Sequence, residues 1–401
     1  MPTPPSSGPE KFAGKASNFF GRMGANLETF WERVTEGIEI QALWAQFVAE
    51  ARASYSLYTR EVDWAALERE SGARRFFKTA SALFWAMLLK LSPARRVFLL
   101  IALVLGLLAL IQGHRVKTEQ GVVVSLPQNF TLVLLSLAAL LFLLALELAD
   151  RVTMKRDLEI AREIQRWLVP AAPPEVPGVD IAFATRPANT VGGDYYDAFL
   201  RGPQPTDPAA TRLLLVVADV AGKSVPAALL MATFQASLRS LALTPGSLPE
   251  LVAGLNRYAC AHSLGGRRFT TAFLAELDPT TRALTYIGAG HNAPILRRAS
   301  GRLERLEAGS LPLGIDAQVR FECGTATLEA GDLLVIFTDG LIEAVNAKDE
   351  DYGESRLLEA LRLASEASAE QTLKNLLAAV DAVVGATRQH DDITCLILRV
   401  R

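Results

Sequence analysis

The sequence predicts an α+β chain: a helical N-terminal region with two transmembrane helices, then a domain of two packed, largely antiparallel sheets with helices outside. Three observations lead there. Two apolar runs, at 97–111 and 130–146, lie in the first 150 residues. From residue 179 onward the pattern changes to short apolar runs separated by turns, with longer helical patterns between some of them. Four acidic turns sit at the ends of those short runs, around Asp194, Asp219, Asp339 and Asp391.

Length and composition bound the reading. A chain of 401 residues accommodates two or more domains. Half of it is hydrophobic and the mean hydropathy is positive, an excess concentrated in the two apolar runs. A net charge of −2 gives no support to a nucleic-acid partner. Residues 1–157 carry 18 Lys and Arg against 14 Asp and Glu, and the remainder 23 against 29. A mildly acidic C-terminal region suits cation binding. Cys260, Cys323 and Cys395 are far apart and sit among apolar residues, so buried, reduced thiols are expected and a zinc cluster is not. The opening MPTPPSSGPE has no apolar core of a cleaved signal.

Residues 1–9 read as a disordered tail. From 11 to about 77, Phe19, Phe20, Met23, Leu27, Phe30 and Trp31, then Ile38, Ile40, Leu43, Trp44 and Phe47, recur at helical spacing and predict amphipathic helices. Ser92-Pro93 is a helix start, and a helix over 93–112 would be about 30 Å long, enough to cross the hydrocarbon core. A second span is expected over 129–148. Arg74, Arg75, Lys78, Lys90, Arg95 and Arg96 precede the first span, and Arg151, Lys155 and Arg156 follow the second; the connector holds only Arg115 and Lys117. The charge rule puts both ends in the cytoplasm, making a two-pass protein of the inner membrane. Residues 147–169 continue as a helix with one seam at Leu158, Ala161, Gln165 and Leu168 and another at Ile160, Ile164 and Trp167. Such seams suit packing against a second copy or against the following domain. Pro170, Pro173, Pro174 and Pro177 end the helix. The expected divisions are therefore a tail and amphipathic region at 1–92, a transmembrane hairpin at 93–148, a helical linker at 149–170 and a catalytic domain at 171–401.

In that domain, strands are expected at 179–185, 195–200, 213–219, 271–277, 283–288, 294–298, 321–328, 333–338 and 393–400. Helices are expected at 226–241, 249–262, 354–364 and 370–384. The stretch at 201–212 is a turn-rich loop. Strands that follow one another without crossover helices favour antiparallel sheets stacked face to face.

The acidic turns carry the chemistry. Gly193-Asp194 precedes a strand, Asp219 ends one, LLVIF runs into Thr338-Asp339-Gly340, and Asp391-Asp392 opens the last strand. Carboxylates grouped this way suit hard cations, magnesium or manganese. Without a cation between them they would repel. Two such ions could hold a phosphate and ionise a water for in-line attack. Any one Asp-Gly is ordinarily a turn; four in this order make a site, if they converge.

The pieces AREIQRWLVP, GGDYYDAF, ADVAGKSVPAALLMA, GAGHNAPILRR, LPLGI, FTDGLIEAVN, YGESRL and HDDITCLILRV cover nearly the whole region from residue 158 onward. They resemble the bacterial PPM/PP2C-type serine/threonine phosphatases of the stage II sporulation protein E and sigma-factor-regulating class. The resemblance implies an α-β-β-α sandwich and a site for two metal ions, Mn2+ or Mg2+. By motif, Asp219 would bridge both ions with the Val220 carbonyl, Asp339 and Asp391 would hold the first, and Asp194 would serve the second or orient its water. Gly193 and Asp197 are weaker matches. Where classical eukaryotic relatives have a His, this chain has Ala221, which leaves the leaving-group acid unassigned. Ser224 stands where relatives often have Gly. His291 reads as a brace for a strand turn, and His390 as a surface residue.

The function implied is a membrane-anchored, metal-dependent phosphatase acting on phosphoserine or phosphothreonine by direct attack of metal-bound hydroxide. Its substrate would be a phosphorylated anti-sigma-factor antagonist of the STAS type, and the linker helix would pair two copies into a homodimer. A catalytically silent scaffold that binds a regulator is the rival from another class, and a hydrolase of small phosphate esters is a third.

Overall fold

The computed structural model describes residues 81, 85, 88, 91–111, 114–117, 123–126, 130–202, 211–262, 268–364 and 367–401. The tail over 1–9, the amphipathic helices over 11–77 and most of the turn-rich loop at 201–212 lie outside the described residues. The chain divides into two compact units, Met1–Ala149 and Asp150–Arg401.

In the first unit, α1 (Pro93–Ile111) and the N-terminal part of α2 (Phe130–Leu168) are both apolar enough and long enough to cross a membrane. Side chains around both helices, such as Leu107, Ile111, Leu141 and Phe142, are exposed. A helix that is apolar on every side needs an apolar surrounding. Small residues bring the two together: Ala102 and Ala109 are buried, and Ser136 Oγ donates to the Ala102 carbonyl at 2.8 Å. Arg95 pairs with Glu147 at 3.2 Å where the helices come to their polar ends. The connector contains an antiparallel pair, β1 (His114–Lys117) with β2 (Val123–Leu126). The second span and the linker form one continuous helix of 39 residues, because nothing between residues 130 and 168 is a glycine or proline.

The second unit is a four-layer sandwich. One sheet contains β4 (Tyr195–Arg201), β5 (Arg212–Val220), β6 (Thr270–Leu277) and β7 (Ala283–Ala289) in that order. Two short strands join β7: β10 (Gly309–Ser310) in parallel and β11 (Gly324–Thr327) antiparallel. The other sheet runs β3 (Val179–Arg186), β13 (Ile393–Val400), β12 (Leu333–Phe337), β8 (Ile295–Arg297) and β9 (Leu303–Arg305), antiparallel throughout. Helices α3 (Ser224–Ala242) and α4 (Leu248–His262) cover the first sheet; α5 (Gly353–Leu363) and α6 (Ala369–Val384) cover the second.

Alternation along the strands fills three apolar layers. Leu213, Leu215 and Val217 of β5 point between the sheets, against Leu334 and Ile336 of β12 and Leu396 and Leu398 of β13. Leu214, Val216, Ala218 and Val220 point the other way, onto Met231, Leu238 and Leu255 of α3 and α4. Leu333, Val335 and Phe337 meet Leu357, Leu373 and Leu376. These central strands are buried on both faces, which is why they read in the sequence as unbroken apolar runs. Every strand and helix predicted between residues 179 and 400 is present. The short β9 and β10 were not predicted, since two- and three-residue strands leave no periodicity to read. Cys260 is half-buried and Cys395 buried, but Cys323 is exposed, contrary to expectation.

Candidate active site

The inward-pointing series of β5 continues to Asp219, which lies opposite Thr271 of β6 at the edge of the space between the sheets. Asp194 precedes β4, on the neighbouring strand of that sheet. From the facing sheet come Asp339, in a 3-10 turn just after β12, and Asp391, two residues before β13. Four chain segments thus deliver carboxylates to one edge of the sandwich.

Their ionisation records how close they are. The Asp219 carboxyl is pushed up to about 6, by burial first and then by the charges of Asp339, Asp391 and Asp392. Burial, followed by Asp219, holds Asp194 well above the ordinary carboxylate range. Asp339 is raised by burial and then by Asp391. These three carboxyls resist ionisation first because they are buried and then because their neighbours are negative.

The donor set fits hard divalent ions. It is all oxygen, and its mutual repulsion is what a cation between the sheets would relieve. A Cβ on Gly193 would lie 2.9 Å from the Val220 carbonyl oxygen and 3.6 Å from Asp219 Oδ1. Glycine therefore keeps that carbonyl and carboxylate open. Among the described residues no three His, Cys, Asp or Glu side chains are grouped tightly enough to enclose an ion by themselves. Magnesium and manganese accept such partial sets, with backbone carbonyl and water completing the coordination.

Around the carboxylates is a supporting framework that the sequence did not reveal. Thr338 Oγ1 donates to Asp194 Oδ2 at 2.9 Å and accepts from the Thr394 amide at 2.9 Å. Asp392, adjacent to Asp391, plays a different part. Its Oδ1 accepts from the Ala188 amide at 2.8 Å and its Oδ2 from the Gly193 amide at 2.7 Å, which fixes the turn carrying Asp194. At the end of α2, Gln165 Nε2 donates to the Gly192 carbonyl at 2.7 Å while its Oε1 accepts from the Gly192 amide at 3.2 Å. Lys223 Nζ pairs with Asp391 Oδ2 at 2.9 Å. The Glu343 carboxyl is raised by burial and by Asp339.

Two weaker candidates fall elsewhere. Asp197 points away from the site and is fully buried beneath α3. Arg239 grips it through two hydrogen bonds of 2.7 and 2.8 Å, and the Tyr195 hydroxyl donates to it as well. As a residue one place along from Tyr196 in a strand, it faces the helices rather than the facing sheet. His291 Nδ1 lies 3.1 Å from Thr271 Oγ1, which in turn donates to the Asp219 carbonyl at 3.4 Å. Burial pushes its pKa down to about 4, so a neutral imidazole braces β5 and β6. Ala221 places no titratable group beside the carboxylates.

Residues 209–401 match the family model described as Stage II sporulation protein E (SpoIIE). Over 285 residues the chain is 27% identical to Protein IcfG of Synechocystis sp., an alignment covering 63% of this chain and 43% of that protein. It is 29% identical over 251 residues to Phosphoserine phosphatase RsbU of Bacillus subtilis, covering 61% of this chain and 70% of that one. The chain thus spans less than half of the IcfG protein and somewhat more than two thirds of RsbU. The solved SiaA-PP2C domain of Pseudomonas aeruginosa has the same fold, with a TM-score of 0.55 and 21% identity over 63% of this chain and 99% of that one. Residues 209–401 are thus similar to SpoIIE-type domains, the chain is similar in sequence to RsbU, and its sandwich has the fold of a PP2C phosphatase domain.

Proposed function

We propose that the protein is a membrane-anchored, metal-dependent phosphatase that removes phosphate from phosphoserine or phosphothreonine on a signalling partner. The observation that carries this reading is the convergence of Asp194, Asp219, Asp339 and Asp391 from two facing sheets, with their carboxyls held above the usual range or set against one another's charge. Asp219 and the Val220 carbonyl would be shared by two ions, Mn2+ or Mg2+; Asp339 and Asp391 would hold the first, and Asp194 would serve the second. Bound there, the ions would supply positive charge to the phosphoryl oxygens and lower the pKa of an attacking water. The chain's own part is positioning. Thr338 fixes Asp194, Asp392 fixes the turn that carries it, and Gly193 leaves the Val220 carbonyl and the Asp219 carboxylate uncovered.

The family match and the likeness to RsbU favour a phosphorylated anti-sigma-factor antagonist of the STAS type as substrate. Ile160, Ile164 and Trp167 form an exposed apolar stripe on α2, and a second copy of this helix is the partner we assign to it. Two apolar helices flanked by basic residues favour a two-pass membrane protein with the phosphatase domain in the cytoplasm.

The test is phosphate release from a serine-phosphorylated protein by the full chain in detergent micelles. Turnover should require added manganese or magnesium and disappear in Asp219→Ala. Equal rates in the presence of a chelator, or in Asp219→Ala, would refute the reading; retained partner binding without turnover would make the protein a scaffold.

A further inference from the structure

The turn between β5 and α3 holds a basic residue that the chemistry above does not use. Lys223 Nζ lies 2.9 Å from Asp391 Oδ2 and donates to the His390 carbonyl at 2.9 Å. Its ammonium also faces Asp392 and Asp339, and it draws down the pKa of both Asp339 and Glu343. The backbone that aims it is unusual. Gly222 has a φ of 121° and Ser224, which has a side chain, a φ of 62°. A left-handed conformation is unfavourable for a residue with a Cβ, so the surrounding structure holds this turn in shape and Lys223 with it.

An exposed Lys–Asp pair ordinarily contributes little, and this one is about half exposed, at 58% for Lys223 and 43% for Asp391. Its neighbours set it apart. Asp391 repels Asp219 and Asp339, so the ammonium offsets the repulsion within a group of carboxylates rather than within a single pair. The lysine also occupies an oxygen that the proposed first ion would need.

We propose that Lys223 is a built-in counter-cation of the metal site, holding Asp391 while no divalent ion is bound and giving it up when one binds, so that it sets the affinity of the site. This presupposes the metal-dependent reading above. A divalent ion taking Asp391 loses the Lys223 pair and then meets a like charge a few ångströms away. Both effects oppose binding, and both vanish when the ammonium is removed. The lysine keeps the empty site folded at the expense of affinity for the ion.

The experiment is calorimetric titration of manganese chloride into the full chain in detergent micelles at constant pH, without substrate. Parent, Lys223→Met, Lys223→Arg and Asp219→Ala are compared. Lys223→Met should bind Mn2+ about tenfold more tightly than the parent and Lys223→Arg within about twofold of it, the size expected for one like charge near a divalent ion at a half-exposed site. The melting temperature of metal-free Lys223→Met should fall. An ordinary surface pair would also lower that temperature slightly, but would leave manganese affinity unchanged. Unchanged or weaker binding by Lys223→Met, with binding by the parent that Asp219→Ala abolishes, overturns the role of Lys223 and leaves the metal site standing. Absence of binding by the parent overturns both.

Discussion

Asp219 gathers burial and three negative neighbours, and its carboxyl is pushed up to about 6 from an ordinary 3.8. The folded chain therefore holds this proton more tightly than the unfolded chain does. The stabilisation is complete below about pH 4 and is lost as the pH rises through about 6. Without metal, unfolding by urea should show a protein less stable at about pH 7 than at about pH 5, by on the order of 1 kcal/mol after allowance for solvent screening. Saturating manganese should reverse the slope, because carboxylates must lose their protons to bind it. A flat metal-free profile would contradict the clustering. Asp197 makes a different demand. Fully buried, it depends on the two hydrogen bonds from Arg239. Arg239→Ala should destabilise the domain by about 3 kcal/mol, because it strands a buried charge, and the urea midpoint would measure it. At Ser224 the backbone is left-handed, with a φ of 62°, a conformation that favours glycine. Ser224→Gly should add about 1 kcal/mol of stability, read as a rise in melting temperature.

Among the elements, α2 faces two ways. Leu158, Ala161, Gln165 and Leu168 are half-buried, and Gln165 clamps Gly192 next to the Gly193-Asp194 turn. Ile160, Ile164 and Trp167, on the neighbouring stripe, are exposed at 47%, 49% and 76%. The sequence showed both seams but not which one the chain itself would cover. That depended on where the GGD turn would stand, and the turn is fixed by Asp392 from the other end of the domain. Replacing Ile160, Ile164 and Trp167 with serine should shift sedimentation of the full chain toward monomer while leaving the fold intact. Gln165→Ala should instead lower kcat about tenfold by loosening the turn that carries Asp194. If the two sets of changes gave the same phenotype, the two faces would not have separate roles.

Across the whole molecule, two helices are long and apolar enough to cross a membrane, and the proposed anchoring would set where the chemistry happens. The spans are legible from composition alone, and so is the surplus of basic residues at their outer ends. Cys323, unexpectedly exposed, gives a direct test of orientation. A thiol reagent that does not cross membranes should label it only after the cells are permeabilised. Labelling of intact cells would place the phosphatase domain outside and remove its access to a cytoplasmic partner.

The sequence by itself determined the elements: two helices apolar and long enough to cross a membrane, a long helix continuing from the second, nine strands of the sandwich and four helices over its faces. Each follows from local periodicity, apolar length and turn residues, which need no knowledge of distant neighbours. It also marked Asp194, Asp219, Asp339 and Asp391 as strand-end carboxylates. Only the tertiary structure decided that these meet, that Asp392 braces the turn beside which Asp391 stands, and that Asp197 turns its back on them. Those outcomes depend on contacts such as the one from the Gly193 amide to Asp392, which joins residues 199 positions apart. Periodicity carries no record of such a pairing; it exists only once two sheets, each indifferent to the other in sequence, have packed face to face.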